Sequence, residues 1–149
     1  MDWLYKGKSI KCLNDFENSE EIVGFIYLIT NKLNGSIYCG RKILHHSRRT
    51  KISKRDKLLT PTRKVFKTTI KESDWLTYNG SCLELKNDIK KLGIENFKKE
   101  IIELCYSKKY LSYAEVKHQI QLDVLSTLSY NGNIAGKWFR KDMQNDTRK

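Results

Sequence analysis

Two short runs of mostly apolar residues, 24–30 and 36–40, stand on either side of the dipeptide Asn34-Gly35. Asn-Gly favours a two-residue type I′ turn, because both central residues of that turn need positive φ, so the pattern predicts a β-hairpin. The turn would set residues 31, 32 and 33 opposite residues 38, 37 and 36. Because side chains alternate faces along a strand, Tyr27 and Tyr38 are predicted to lie on one face of the sheet.

The next periodic segment is helical. Ser81-x-x-Glu84 is a capping-box pattern that predicts a helix start, and Gly93 is a typical stop. Between them, apolar residues recur at helical spacing at Leu85, Ile89 and Leu92. Residues 97–105 follow with a run of isoleucine and leucine, which predicts a third strand.

A second helix is predicted from about residues 107–110 to residue 125. Its stripe follows the period of about 3.6 residues and consists of Leu111, Ala114, His118, Leu122 and Leu125. We interpret His118 as a partly buried, hydrogen-bonded residue and not as a ligand. The order of elements is therefore β, β, insertion, α, β, α.

This order gives the expected domain organisation. Residues 1–22 are interpreted as an N-terminal arm, with Trp3, Leu4 and Phe16 as anchors, and residues 23–137 as one folded domain. Residues 41–72 form an insertion, in which Pro61 predicts a break in any helix. Residues 138–149 are interpreted as a C-terminal tail.

Charge changes the interpretation of the insertion. The chain carries a net charge of +12, and residues 41–71 hold twelve Lys or Arg against one acid, Asp56. Such density favours binding to phosphates, with strong salt dependence. Phe66 is the only aromatic residue between Tyr38 and Trp75, so phosphate contact is expected in preference to base stacking. The alternative is a merely solvated, charged loop.

Composition bounds the class of protein. The 149 residues suffice for one domain, and they contain neither an apolar stretch that could span a bilayer nor a signal peptide, so a cytoplasmic protein with no membrane partner is expected. The four cysteines are widely spaced, which favours reduced thiols over disulfides. Cys39, His45 and His46 suggest zinc, but they have no fourth ligand at the usual spacing.

The paired segments Phe25-Ile26-Tyr27 and Tyr38-Cys39-Gly40 resemble the two signatures of the GIY-YIG nucleases, although Phe25 replaces the first glycine and Gly24 stands one position early. Further blocks at residues 72–81, 93–97 and 130–136 resemble phage-borne, free-standing members of that family. The resemblance covers residues 24–137. It implies an α+β fold with a small antiparallel three-stranded sheet flanked by helices.

The resemblance also implies a catalytic site. A glutamate on the helix after the third strand holds one divalent metal ion in this family, and Glu115 matches that place; Mg²⁺ is expected, with Mn²⁺ as a substitute. Tyr27 is expected to activate the attacking water, provided that nearby cations lower its pKa or that it passes the proton onward. Tyr38 would orient the water, and Gly40 would support the site.

Cations and amides complete the expected site. Arg48 falls where the family places an arginine, and Lys42 follows the second signature together with Arg41, so Arg48 and Lys42 are candidate phosphate clamps. His45 and His46 are alternatives for proton transfer. Asn133, in a run that resembles the family's terminal Asn-Ile-Ala, would brace the site, with a simple turn role as the alternative. The expected DNA contacts are Arg41, Arg49, Lys51, Lys54 and Arg55.

Together these features predict an Mg²⁺-dependent endonuclease that cuts double-stranded DNA and leaves a 5′-phosphate and a 3′-hydroxyl, in a phage homing or host-DNA-degrading context. The main alternative is a catalytically inactive DNA-binding protein on the same fold; an RNA-binding accessory protein is a third. Because no recognition module follows the matched region, specificity is expected from the basic insertion, a partner, or a homodimer.

Overall fold

The computed structural model describes residues 1–126 and 128–145. Its strands are β1 (Trp3–Tyr5), β2 (Lys8–Ile10), β3 (Gly24–Asn31), β4 (Ile37–Ile43), β5 (His45–Lys51), β6 (Phe66–Glu72), β7 (Phe97–Cys105), β8 (Asn133–Ile134) and β9 (Trp138–Phe139). Its α-helices are α1 (Lys54–Leu59), α2 (Leu83–Leu92), α3 (Lys108–Gln121) and α4 (Arg140–Asn145). None of the described helices has the length and apolar composition needed to cross a bilayer.

One sheet organises the domain, with strand order β2-β1-β7-β3-β4. The central strand β3 pairs antiparallel with both β4 and β7, which confirms the predicted α+β class and its antiparallel core. The sheet is larger than the predicted three strands, because β1 pairs parallel with β7 and β2 pairs antiparallel with β1. β4 is left as an outer strand.

The segment predicted as an arm, residues 1–22, supplies the two added strands. Trp3 is fully buried against Phe25 and Tyr27, and its indole Nε1 donates a hydrogen bond of 2.7 Å to the carbonyl oxygen of Trp75. Phe16 is buried in the same cluster. The segment is therefore part of the domain's core.

The hairpin register differs from the prediction by two residues. Tyr38 pairs with Ile29, and Gly40 pairs with Tyr27. The loop is longer because Asn31 is buried, where its side-chain oxygen accepts from the backbone of Leu33 and its amide donates to the Tyr130 hydroxyl. A shift of two residues keeps every side chain on its face, whereas a shift of one would not. The predicted shared face is confirmed, with the rings of Tyr27 and Tyr38 6.1 Å apart.

The two faces of the sheet bury different clusters. Tyr27 and Trp75 belong to the cluster that α2 covers through Leu85. On the opposite face, α3 packs Leu111 and Ala114 against Ile26 and Cys39. Ser107 caps α3, with its side chain accepting from the backbone of Tyr110. That helix ends at Gln121, four residues before the predicted end.

The predicted capping box at Ser81 is wrong. The N-cap residue of α2 is Cys82, which makes no side-chain capping bond. The Ser81 hydroxyl is engaged instead with the Tyr38 hydroxyl, at 2.9 Å. The Ser81 side chain therefore makes a tertiary contact instead of the helix cap that the local pattern predicted.

The basic insertion folds into a two-stranded ribbon, which the sequence did not predict. β5 and β6 pair antiparallel along seven residues each, and α1 lies between them. Leu44, which is buried, fixes the base through a backbone bond from its nitrogen to the oxygen of Val23, and the nitrogen of Ser73 bonds to the oxygen of Leu44. Every residue of β6 is exposed, so the ribbon stands out from the domain.

The segment predicted as a tail is also bound to the domain. β9 pairs with β8, and the Arg140 guanidinium donates to the carbonyl oxygens of Val124, Ser129 and Asn131. Residues 146–149 lie outside the described part of the chain.

Candidate active site

Several of the predicted site residues, among them Tyr38, Gly40 and Glu115, lie at the outer edge of β4. Tyr27 lies on β3, and its ring passes over Gly40 of β4: a Cβ atom at Gly40 would stand 2.6 Å from the Tyr27 hydroxyl oxygen. The φ of Gly40 is not positive, so glycine is needed there for space and not for backbone conformation. The hydroxyl of the buried Tyr27 therefore lies next to β4, the outer strand of the sheet.

Three tyrosines form one wall of this edge. The Tyr27 ring lies 6.1 Å from both the Tyr38 ring and the Tyr78 ring, and it is almost perpendicular to the latter. Burial raises the pKa of Tyr27 far above its ordinary value, and the neighbouring phenols of Tyr38 and Tyr78 raise it further. Of the two alternatives given above, a pKa lowered by nearby cations is contradicted. Tyr27 as a neutral hydroxyl that passes the proton onward stays a prediction.

Glu115 approaches the same edge from the opposite face of the sheet. It lies on α3, and its Oε2 is 3.1 Å from Nε of Arg41, the residue that follows Gly40. The Arg41 guanidinium also donates to the Ser112 hydroxyl. Burial raises the pKa of the Glu115 carboxyl, and Arg41 opposes that rise. The side chain keeps 24% of its surface exposed, so the carboxylate is open to a ligand.

A cleft of about 350 Å³ joins the two sides. It is lined by residues of both faces and of the segment after α3, among them Tyr38, Ser81, Glu115, Gln119, Asn131 and Asn133. The predicted residues Tyr38 and Glu115 thus share one cavity. Tyr27 does not line it, but its ring lies behind that of Tyr38 and its hydroxyl lies beside Gly40.

The bracing asparagine is Asn131 and not Asn133. Asn131 is buried, its side-chain oxygen accepts from the nitrogen of Cys39, and its amide donates to the oxygen of Cys39. These bonds replace the sheet partner that the outer strand lacks. Asn133 is exposed, and its side-chain oxygen accepts from the nitrogen of Gly136, which is the turn role given above as the alternative.

The oxygen atoms in the cleft fit a hard divalent cation. Gln119 lies one turn after Glu115, and its amide nitrogen donates to the oxygen of Cys39 at 3.0 Å. That bond turns its Oε1 the other way, where it is buried and accepts no hydrogen bond from any described residue. Mg²⁺ prefers oxygen ligands and keeps several waters. Glu115 supplies a carboxylate and Gln119 an unsatisfied amide oxygen, both residues line the cleft, and oxygen donors of this kind satisfy that preference.

The structure separates the predicted cations into two groups. Lys42 lies near the tyrosine wall: its Nζ is 3.8 Å from the centroid of the Tyr78 ring and 2.6 Å from the Asp74 carboxylate. Arg41 lies at Glu115. Arg48 lies midway along β5, exposed, and no contact among the described residues joins it to Tyr27, Tyr38 or Glu115.

The remaining basic candidates belong to the insertion. Arg49 and Lys51 lie on β5, Lys54 and Arg55 on α1, and all four are exposed. His46 stands at the base of the ribbon, close enough to join Lys42, the main cause, in lowering the pKa of Asp74. His118 binds the Glu103 carboxylate, as expected for a hydrogen-bonded residue outside the site.

Sequence reasoning missed three participants. Tyr78 falls within the block at residues 72–81, Ser81 was predicted only as a helix cap, and Gln119 was not singled out. Gln119 had a usable signal, since residues four apart on a helix share a face. Tyr78 and Ser81 had none, because their contacts with Tyr27 and Tyr38 join segments far apart in sequence.

An antiparallel sheet that carries two tyrosines and a helical glutamate at one edge is the arrangement that the resemblance to GIY-YIG nucleases predicts. The family described as "Putative endonuclease segE, GIY-YIG domain" matches residues 3–142, and the chain belongs to this GIY-YIG endonuclease family.

Two curated proteins of Enterobacteria phage T4 are similar to the chain. "Putative endonuclease segD" is 32% identical over 112 residues, which is 75% of this chain and 38% of that protein. "Putative endonuclease segC" is 31% identical over 112 residues, which is 75% of this chain and 43% of that protein. The chain thus spans about two fifths of the length of these relatives. No solved structure gives a significant match.

Proposed function

We propose that the protein is an endonuclease that hydrolyses phosphodiester bonds of double-stranded DNA with one divalent metal ion, Mg²⁺ or Mn²⁺, at Glu115. The observation that carries the proposal is that Tyr38 and Glu115 line one cleft at the outer edge of β4, while the Tyr27 ring packs on Tyr38 with its hydroxyl in the space that Gly40 leaves free. A protein that only bound DNA would need the basic insertion but not this convergence. Homing or degradation of host DNA by a phage is the proposed context.

Glu115 and Gln119 would hold the cation. A divalent ion there would polarise the scissile phosphate and stabilise the departing 3′ oxygen, which leaves a 3′-hydroxyl and a 5′-phosphate. Burial raises the pKa of the Glu115 carboxyl, so acid protonates it more readily than an exposed glutamate, and Arg41 opposes that rise.

Tyr27 acts as a neutral hydroxyl in this proposal. A phenol whose pKa is raised by burial is a poor base, so its role is to orient the attacking water and pass the proton onward. Tyr38, held by Ser81 at 2.9 Å, has its hydroxyl fixed and can position the same water.

The phosphate clamp is proposed at Arg41, which contacts Glu115, or at Lys42, which lies over the Tyr78 ring. Arg48 makes neither contact. Arg48→Ala tests whether Arg48 acts in catalysis or only in DNA affinity. If Arg48 serves affinity alone, the variant loses cleavage only at low protein concentration, and saturating protein restores it. A rate defect that saturating protein does not repair would return the clamp to Arg48.

The test of function is incubation with supercoiled plasmid, with Mg²⁺, with Mn²⁺ and with chelator, read as nicked and linear product. Glu115→Gln is the matched variant, because it keeps the shape of the side chain and removes its charge. We expect cleavage by the wild type with metal only, and none by Glu115→Gln at equal DNA binding. DNA binding without cleavage by the wild type would refute the nuclease and support the inactive DNA-binding protein.

A further inference from the structure

The ribbon formed by β5 and β6 has two chemically different faces. Directly opposed residues of an antiparallel pair point to the same side, and the sides alternate along each strand. One face, called here the cationic face, therefore carries His46, Arg48, Thr50, Lys67, Thr69 and Lys71. It has no acid and no apolar side chain.

The reverse face has a mixed character. It carries Arg49 and Lys51 beside Phe66, Ile70 and Glu72. The Arg49 guanidinium stacks 4.4 Å from the centroid of the Phe66 ring, which confirms that the two residues share this side. At the base, the Glu72 carboxylate accepts from Nε1 of Trp75, so the reverse face turns toward the buried aromatic cluster.

The cationic face continues toward the candidate active site. His46 and Lys71 are directly opposed at its base, and His46 lies close enough to Asp74 to assist Lys42, the main cause, in lowering the pKa of that carboxyl. Asp74 binds Lys42, and Lys42 lies over the Tyr78 ring that packs on Tyr27. Positive groups therefore run from the cleft onto this side of the ribbon.

The dimensions of the ribbon fit a groove of DNA. Two paired strands of seven residues extend about 23 Å at about 3.3 Å per residue, which matches roughly seven base pairs at 3.4 Å each. The major groove of B-DNA, about 12 Å wide, admits a two-stranded ribbon. Two-stranded ribbons also twist strongly, as a groove does.

We propose that the cationic face of the β5–β6 ribbon inserts into the major groove of duplex DNA beside the cleavage site. Arg48 and Thr69, paired at the middle of the face, meet base edges, and Lys71 meets a phosphate. The proposal takes duplex DNA as partner from the proposed function, but it does not require cleavage. It removes Arg49 and Lys51 from the expected DNA contacts.

The test compares two variants that each remove two positive charges from the ribbon. Arg48→Ala/Lys71→Ala changes the cationic face, and Arg49→Ala/Lys51→Ala changes the reverse face. All four side chains are exposed, so both variants should keep the melting temperature of the wild type. Lys67 is left in place because it is paired with Asp56 at 3.3 Å.

Binding to a DNA duplex is measured by fluorescence anisotropy in chelator, over a range of salt concentrations. Each phosphate contact contributes about 0.9 to the slope of log K against log salt. We expect the cationic-face variant to lose affinity at least tenfold and to lower the slope by about 0.9 or more, since Lys71 is lost as a phosphate contact. The reverse-face variant should stay close to wild type. Equal effects of the two variants, or a larger effect of the second, would overturn the proposal.

A second arm identifies the groove. Bulky substituents at C5 of the pyrimidines fill the major groove, where the thymine methyl group lies. On such a duplex, the wild type and the cationic-face variant should bind equally weakly. If the ribbon bound in the minor groove instead, the difference in affinity between the two proteins would remain. A difference that persists with the major groove filled would overturn insertion.

A third arm uses an RNA duplex, whose A-form major groove is too deep and narrow for side chains to read. The two variants should bind it alike, and a preserved difference would indicate phosphate contact without insertion and overturn the proposal. None of these measurements depends on cleavage. Failure of the nuclease assay therefore leaves this result standing, and equal loss in both variants would overturn the ribbon proposal while leaving the nuclease untouched.

Discussion

Gly40→Ala is the substitution that tests the geometry of the site most directly. A methyl group at this position would stand 2.6 Å from the hydroxyl oxygen of Tyr27 and 2.8 Å from its Cζ. Ordinary contacts begin at about 3.5 Å, so the ring must retreat by nearly 1 Å. Tyr27 is almost fully buried, with Trp3 at 5.3 Å behind it and Tyr38 and Tyr78 beside it, so it has no free space to enter.

The cost has two parts. Overpacking of this kind destabilises by about 1–3 kcal/mol, which lowers the melting temperature by about 3–10 °C for a chain of this size. A displacement of about 1 Å in a catalytic group can reduce a rate by about a hundredfold. We therefore expect Gly40→Ala to remain folded at 25 °C and to lose most of its activity.

The matched control is Gly132→Ala. Gly132 also lines the cleft and also lacks a positive φ, but a methyl group there would meet no atom within 4 Å. Both variants are followed by thermal unfolding and by plasmid cleavage at saturating protein. A Gly40→Ala protein with the melting temperature and cleavage rate of the control would refute the placement of the Tyr27 hydroxyl at the edge of β4.

Three further predictions concern single side chains. Tyr27→Phe should lower the cleavage rate about a hundredfold or more at unchanged DNA affinity, since only the hydroxyl is lost; a normal rate would make the tyrosine structural. Asn131→Ala should destabilise by about 1–3 kcal/mol in urea unfolding because the backbone nitrogen of Cys39 loses its acceptor, while Asn133→Ala should cost less than about 0.5 kcal/mol. Burial lowers the pKa of Lys99 from 10.5 to about 8, so the unfolded chain binds more protons between these values and this group makes stability rise with pH there. Lys99→Met should remove that rise, and equal slopes of stability against pH from 8 to 9.5 in both proteins would contradict the assignment.

The elements that the sequence predicted are those whose pattern depends on their own burial. β7 was predicted over its full length because its apolar residues face a core, and α3 was predicted because its stripe packs on the sheet. The prediction that Tyr27 and Tyr38 share a face is correct although the predicted register is not, because a shift by an even number of residues leaves every side chain on the same face. Local pattern therefore predicted which residues meet the core.

Elements without a buried face left no such pattern. The strands of the ribbon are exposed on both sides, so no alternation of apolar and polar residues marks them. The ion pair of Arg41 with Glu115 was also beyond prediction, because it joins β4 to α3 around the edge of the sheet. Lys99 belongs to the same group: it is buried, and it donates to the carbonyl oxygens of Leu76 and Tyr78 in the segment that presents Tyr78.

The short connection between β4 and the ribbon would fix the distance along the DNA between the cleft and the bases that the ribbon contacts. Only Leu44 separates β4, which carries Gly40 and Arg41, from β5, and Leu44 is buried. The cleft and the cationic face are therefore held at a fixed offset. Adding two residues to each strand at the base of the ribbon should move the contacted bases by about 7 Å, or roughly two base pairs, and keep the face.

Adding one residue to each strand should have the opposite effect. A shift of one reverses the faces of every position beyond it, so Arg49 and Phe66 would be presented to the groove in place of Arg48 and Thr69. The ribbon with two residues added to each strand would then bind DNA better than the ribbon with one residue added to each strand. This order of DNA affinities is not expected if the ribbon serves only as a flexible source of positive charge, because the two lengthened proteins carry the same charge.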